Sequence, residues 1–181
     1  MSARTRYTGI AIALHWLIAL AIVANLTLGL VMVDIPGITP AKLRYFNWHK
    51  WAGVAILALV TLRALWRLGH RPPPLPASMP CWQQLGAEAM HGALYALMFA
   101  IPLSGYFYSL AAGYPVVFLG LFKLPVLIEP NPALKPLLKA LHEWLNYTLL
   151  ALLAAHVVAA LKHHLIDRDD VLRRMLPGRS A

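Results

Sequence analysis

Four stretches of this chain, about 9–33, 47–68, 88–110 and 138–162, are apolar over a length that matches a lipid bilayer. A hydrocarbon core of about 30 Å takes roughly 20 helical residues to cross. Overall the chain is 60% hydrophobic and 13% charged, whereas soluble domains run near half apolar with about a quarter charged. The pattern predicts an all-α integral membrane protein: one domain over residues 1–181, an antiparallel four-helix bundle. A fifth apolar run, "YPVVFLGLFKLPVLIEPNP", is interrupted by Pro115, Pro125, Pro130 and Pro132. Proline removes a backbone donor that lipid cannot replace, so this run reads as a loop folded at the membrane surface, with room for a short helix.

The first span is too long for a signal-peptide core, lacks a small-residue cleavage site, and is expected to be retained. Lysine and arginine in the short connections set orientation. One side carries Arg4, Arg6, Arg63, Arg67, Arg71, Lys162, Arg168, Arg173, Arg174 and Arg179; the other carries Lys42, Arg44, Lys50, Lys123, Lys135 and Lys139. That bias predicts cytoplasmic termini in a multi-pass protein of the bacterial inner membrane. The net charge of +9 is divided between two faces and does not form a nucleic-acid patch. The single Cys81 excludes an internal disulfide, and no CxxCH motif is present for covalent haem attachment. "DIPGITP" turns the chain on the outer side, and "HRPPPLPASMP" reads as a stiff polyproline-like connector on the inner side. The tail "RDDVLRRMLPGRSA" reads as a charged, surface-lying segment.

Histidines within the spans carry the chemistry. An ionisable side chain at membrane depth faces a bundle interior or a functional site. His142 and His156 are fourteen residues apart, so they share one helix face but differ by a rise of roughly 21 Å. They belong to two sites, one in each half of the bilayer. Depth pairs His156 with His15 on the inner side, and His142 with His49 on the outer side. Two neutral imidazoles on opposite faces of a flat macrocycle is the way b-type haem is held for electron transfer. Gly29 follows His15 by fourteen residues, Gly105 follows His91 by fourteen, and Gly53 lies one turn beyond His49. Each could admit a bulky plate or simply a neighbouring helix.

His91 lies at the depth of His15 and His156 and could be a ligand, a quinone contact or a partner for a haem propionate. His163 and His164 follow Lys162 at the inner end, as interfacial side chains or as partners for a quinone carbonyl. His70 reads as a solvated loop residue. Glu143, beside His142, either orients that site or caps the helix. A metal or proton pathway remains open on these residues, although such pathways call for buried carboxylates and few acids lie at membrane depth.

The segments "ALHWLIALAIVANLTLGL", "NWHKWAGVAILALVTLRALWRL", "HGALYALMFAIPLSGY" and "LHEWLNYTLLALLAAHVVAALKHHLIDRDDVLRRMLP" resemble the four spans and tail of the bacterial cytochrome b561 family of di-haem membrane proteins. The resemblance covers essentially the whole chain. It implies two non-covalent b haems with His15, His49, His142 and His156 as axial ligands, and electron exchange with ubiquinone. Some members are thought to oxidise superoxide at the periplasmic face. The function so implied is superoxide:ubiquinone oxidoreduction; the alternative is a cytochrome subunit relaying electrons for a periplasmic dehydrogenase.

Overall fold

Lipid offers a peptide group no hydrogen-bond partner, so each apolar stretch closes into a helix that satisfies its own backbone. The computed structural model describes residues 6–76 and 79–178. Helix α1 (Gly9–Asp34) starts on Thr8, whose Oγ1 accepts from Ala11 N at 3.2 Å. Helix α2 (Pro40–Gly69) starts on Thr39, which accepts from Lys42 N at 3.1 Å, with Pro40 in the first turn where its missing N–H costs nothing. Helix α3 (Cys81–Ala111) follows Pro80 and contains Pro102. Helix α4 (Leu134–Lys162) is preceded by Asn131, whose Oδ1 accepts from the amides of Ala133 and Leu134. Helices α2, α3 and α4 therefore begin ahead of the apolar windows that mark them in the sequence, because turn and capping chemistry places the first turn in a polar stretch.

The fifth apolar run is a hairpin, not a helix. Strand β1 (Val117–Phe118) pairs antiparallel with β2 (Phe122–Lys123). The turn between them holds Leu119 and Gly120 at positive φ, 53° and 74°, the left-handed pair that suits a tight hairpin. Flanking prolines rule out a helix, and Val and Phe favour the pleat. Trp51 Nε1 donates to Val117 O at 2.7 Å and ties the hairpin to α2.

Helix α1 packs along α2 and α3 along α4, with α2 and α3 joining the two pairs, while α1 and α4 touch little. The packed centre is Leu14, Ile18, Ile56 and Val60, with Tyr95 and Phe99 of α3 against it. Most other helical surface is uncovered by protein and is the face for lipid.

Both ends of the described chain meet at the end of the bundle opposite the hairpin. Arg6 donates to the carbonyls of Leu176 and Gly178, Trp16 Nε1 to Met175 O at 2.8 Å, and Arg174 to Pro74 O at 2.6 Å. The tail, a π-turn (His163–Asp167) followed by a 3-10 turn (Arg173–Met175), is thus fastened to both α1 and the proline-rich connector. His70 departs from its reading as a solvated loop residue. It stacks on Trp66 with ring centres 3.9 Å apart and planes at 4°, and its Nδ1 lies 3.1 Å from Trp66 O, so it closes α2. Arg4 and Arg179, counted among the inner cations, lie outside the described residues.

Val60 is 0% exposed. In lipid its contribution is packing rather than water exclusion, and Val60→Ala is expected to lower stability by about 1 kcal/mol through lost contacts and a small cavity. An SDS unfolding titration in mixed micelles should show the earlier midpoint; a superimposable curve would refute a central packing role.

Candidate functional site

The histidines of α1, α2 and α4 meet in two couples at different heights in the bundle. At the hairpin end, the rings of His49 and His142 have centres 6.2 Å apart with planes at 86°. At the termini end, His15 and His156 have centres 6.3 Å apart with planes at 67°. A metal–imidazole bond is about 2.0 Å and the ring centre lies ~1.1 Å beyond the nitrogen, so two rings on opposite sides of one metal have centres roughly 6.2–6.4 Å apart. Both couples have that separation.

Hydrogen bonds orient the hairpin-end couple. His49 Nδ1 lies 3.2 Å from Asn25 O on α1, and His142 Nδ1 lies 3.1 Å from Ile101 O on α3. A carbonyl only accepts, so each Nδ1 carries the proton and each Nε2 keeps its lone pair. That is the tautomer a metal-binding imidazole needs. Ser104, 6% exposed, places Oγ 3.0 Å from His142 Nδ1 while donating to Ile101 O at 2.8 Å. One turn along α4, Asn146 Nδ2 donates to His142 O at 2.7 Å.

The glycines lie against the imidazoles themselves. A Cβ on Gly105 would stand 2.9 Å from His142 Cε1, and one on Gly29 would stand 3.1 Å from His49 Cε1. At Gly105 a side chain would force the ring to shift, and at Gly29 the His49 ring would have to give by a few tenths of an ångström. Gly53 faces Asn25 more loosely, at 4.0 Å. Around the couple lies a cavity of about 1080 Å3, walled largely by apolar side chains such as Ile22, Leu26, Val54, Leu57 and Met98. A bare ion would leave most of that volume without contacts. A flat apolar macrocycle carrying its own metal uses both the walls and the imidazoles, and the residues present fit a haem.

Of the six cations on the hairpin side, Lys42, Lys50 and Lys135 line this cavity. Lys50 lies over the Tyr114 ring at 5.8 Å, and Lys42 Nζ donates to Ile35 O at 2.6 Å. Lys139 instead pairs with Glu143 at 2.7 Å, both well exposed. Glu143 thus has its charge paired with Lys139 at the surface.

The termini end gathers a third imidazole. His91 of α3 has its ring centre 5.6 Å from that of His156, shorter than the span one metal sets between opposed rings. Beyond it, His163 Nδ1 lies 2.6 Å from Asp169 Oδ2 and 3.2 Å from Asp167 Oδ2, while Lys162 takes the latter carboxylate at 2.6 Å. Of these, His163 and Asp167 sit in the π-turn, a geometry found often at functional sites. His164 keeps a buried Nδ1 without a partner among the described residues. Sequence reasoning missed Ser104 and Asn25, whose spacing carries no signal of a histidine on another helix. It also passed over Arg63, fourteen residues after His49 and therefore on the same face of α2, at the level of the other couple.

A family model described as prokaryotic cytochrome b561 matches residues 6–178. The chain is 40% identical to cytochrome b561 homolog 2 of Escherichia coli strain K12, over 97% of this chain and 93% of that protein. It is 32% identical to cytochrome b561 homolog 1 of the same organism, over 96% and 98%. A probable superoxide oxidase, CybB, of Yersinia pestis is 30% identical over 95% and 96%. With four helices long and apolar enough to cross a membrane and these bacterial relatives, this is a multi-pass protein of a bacterial inner membrane. Its family implies b-type haem and electron transfer within the membrane. The chain belongs to the prokaryotic cytochrome b561 family.

Proposed function

We propose that this protein carries two haems and moves electrons from a periplasmic donor, superoxide, to ubiquinone. The observation that carries the reading is the pair of imidazole couples, each with ring centres separated as one metal requires. His49 and His142 would hold the haem nearer the hairpin, and His15 and His156 the haem nearer the termini. A b-type haem held by such a pair of histidines would supply a one-electron carrier.

What the residues do follows from their placement. Nδ1–H bonds to main-chain carbonyls hold the imidazoles of His49 and His142 with Nε2 turned inward, which keeps the site from rearranging as its charge changes. The fourteen-residue interval on α4 separates the two sites by roughly 21 Å along the axis, so together they span most of the hydrocarbon. We assign the hairpin end to the periplasm and the termini to the cytoplasm, on the charge bias of the connections. Lys42, Lys50 and Lys135 then place positive charge around the periplasmic cavity and favour an anionic donor. Superoxide gives up one electron to become dioxygen. Ubiquinone takes two electrons and two protons to become ubiquinol, so two superoxide anions are consumed per quinone. His163 and His91 are positioned as contacts for the quinone or the haem edge on the cytoplasmic side, and His163, on Asp169, has a carboxylate to orient its ring.

Three outcomes test this. His142→Ala should lose the periplasmic haem and keep the other, halving the haem per polypeptide in a pyridine haemochrome assay; an unchanged ratio would remove His142 from the ligand set. Gly105→Leu should do the same without touching a histidine, because its side chain displaces the His142 ring. In stopped-flow mixing of oxidised protein with superoxide, haem reduction should be rapid, slow as salt rises, and slow several-fold in Lys50→Gln with a flatter salt dependence. Absence of reduction by superoxide, with a dehydrogenase co-purifying, would instead make the protein an electron-relay subunit.

A further inference from the structure

Arg63 is a charged side chain at membrane depth for which no described residue supplies a counter-ion. It lies six residues, roughly 9 Å, before the end of α2. A guanidinium at that depth is costly and pairs with something or faces a cavity. Among the described residues, neither Arg63 nor Arg67 has a carboxylate within salt-bridge distance: the ion pairs there join Lys139 to Glu143, Lys162 and His163 to Asp167, His163 to Asp169, and Arg174 to Asp170.

Its geometry is nonetheless fixed. Arg63 Nε donates to Tyr95 Oη at 2.9 Å, and the guanidinium carbon stands 5.9 Å from the centre of the Tyr95 ring. Arg67, one turn further along α2, lies over the same ring at 5.7 Å. Tyr95 is itself packed against the core of Leu14, Ile18, Ile56 and Val60, so the clamp rests on the packed centre of the bundle. With Nε taken by tyrosine, the two terminal nitrogens of Arg63 remain as a planar fork without a protein partner among the described residues. A fork of that shape matches a carboxylate bidentately. Tyr95 stands four residues, one helical turn, after His91 on α3, and the His91 ring centre is 5.6 Å from that of His156, so the bond to Tyr95 sets Arg63 about one turn from the termini-end imidazoles.

We propose that Arg63, clamped by Tyr95 and assisted by Arg67, is the binding site for a propionate carboxylate of the haem held by His15 and His156. The inference rests on the two-haem reading above. A lipid phosphate is the other anion in reach of such a fork, but the headgroup layer lies at the helix end, about two turns away, whereas the imidazoles are at the level of Arg63.

The test uses purified, haem-loaded protein as wild type and as Arg63→Gln, Arg63→Lys and Tyr95→Phe. In resonance Raman spectra the propionate bending band should shift in Arg63→Gln and Arg63→Lys, and shift less in Tyr95→Phe, which keeps the guanidinium but frees its clamp. In redox titrations Arg63→Gln should lower the midpoint potential of one haem only, because removing a positive charge favours the ferric state; Arg63→Lys should leave it near wild type. An unmoved propionate band in the lysine and glutamine variants would overturn the contact, whether the fork meets a lipid phosphate or nothing. Should the glutamine variant fail to accumulate, the lysine and Tyr95→Phe spectra decide alone. Wild-type protein with no haem, or with one per chain, would defeat the parent reading instead.

Discussion

A histidine inside a lipid-facing bundle has two ring nitrogens and few groups to satisfy them, and that scarcity organises this molecule. At the hairpin end, each imidazole commits Nδ1–H to a main-chain carbonyl of a neighbouring helix, Asn25 O for His49 and Ile101 O for His142. Nε2 is then left facing the cavity with its lone pair. Breaking either bond would leave a buried donor unsatisfied, at about 1–3 kcal/mol, so the orientation persists whether or not anything sits between the rings.

The helix arrangement follows from holding those rings apart. Close packing of α1 on α2 and of α3 on α4, with little contact between α1 and α4, keeps a large volume open while the core around Val60 stays filled. Glycine is needed where a ring edge meets a backbone. At Gly105 the neighbouring imidazole occupies the space a methyl group would take, and at Gly29 it leaves little room for one. The same bundle thus serves as a rigid frame on the α1–α2 side and as a socket between the pairs.

Charge is distributed to match. Three lysines stand around the hairpin-end cavity, while the other end carries Arg63, Arg67 and the fastened tail. The two ends are not equivalent: one presents lysine ammoniums around a cavity, and the other a guanidinium fixed by a tyrosine. Ammonium point charges suit attraction of a small anion, and a planar fork suits bidentate retention of a carboxylate.

Much of this was legible in the residues alone. Hydrophobic length determined four helices, since lipid permits little else; charge bias between connections suggested an orientation; and the helical repeat placed His142 and His156 on one face at two heights. The offset of Gly29 from His15 pointed to a small residue at the height of the second site. Other features required the folded chain. The hairpin at 117–123 arose from turn geometry at Leu119 and Gly120, where the prolines had argued for a surface loop with room for a short helix. The bonds of His142 to Ile101 and Ser104, the stacking of His70 on Trp66, and the clamp of Tyr95 on Arg63 join residues 4 to 41 positions apart. Periodicity within one helix reports which face a side chain occupies, but the rotation of each helix about its own axis is set by packing against the others, and only that rotation decides which partners meet.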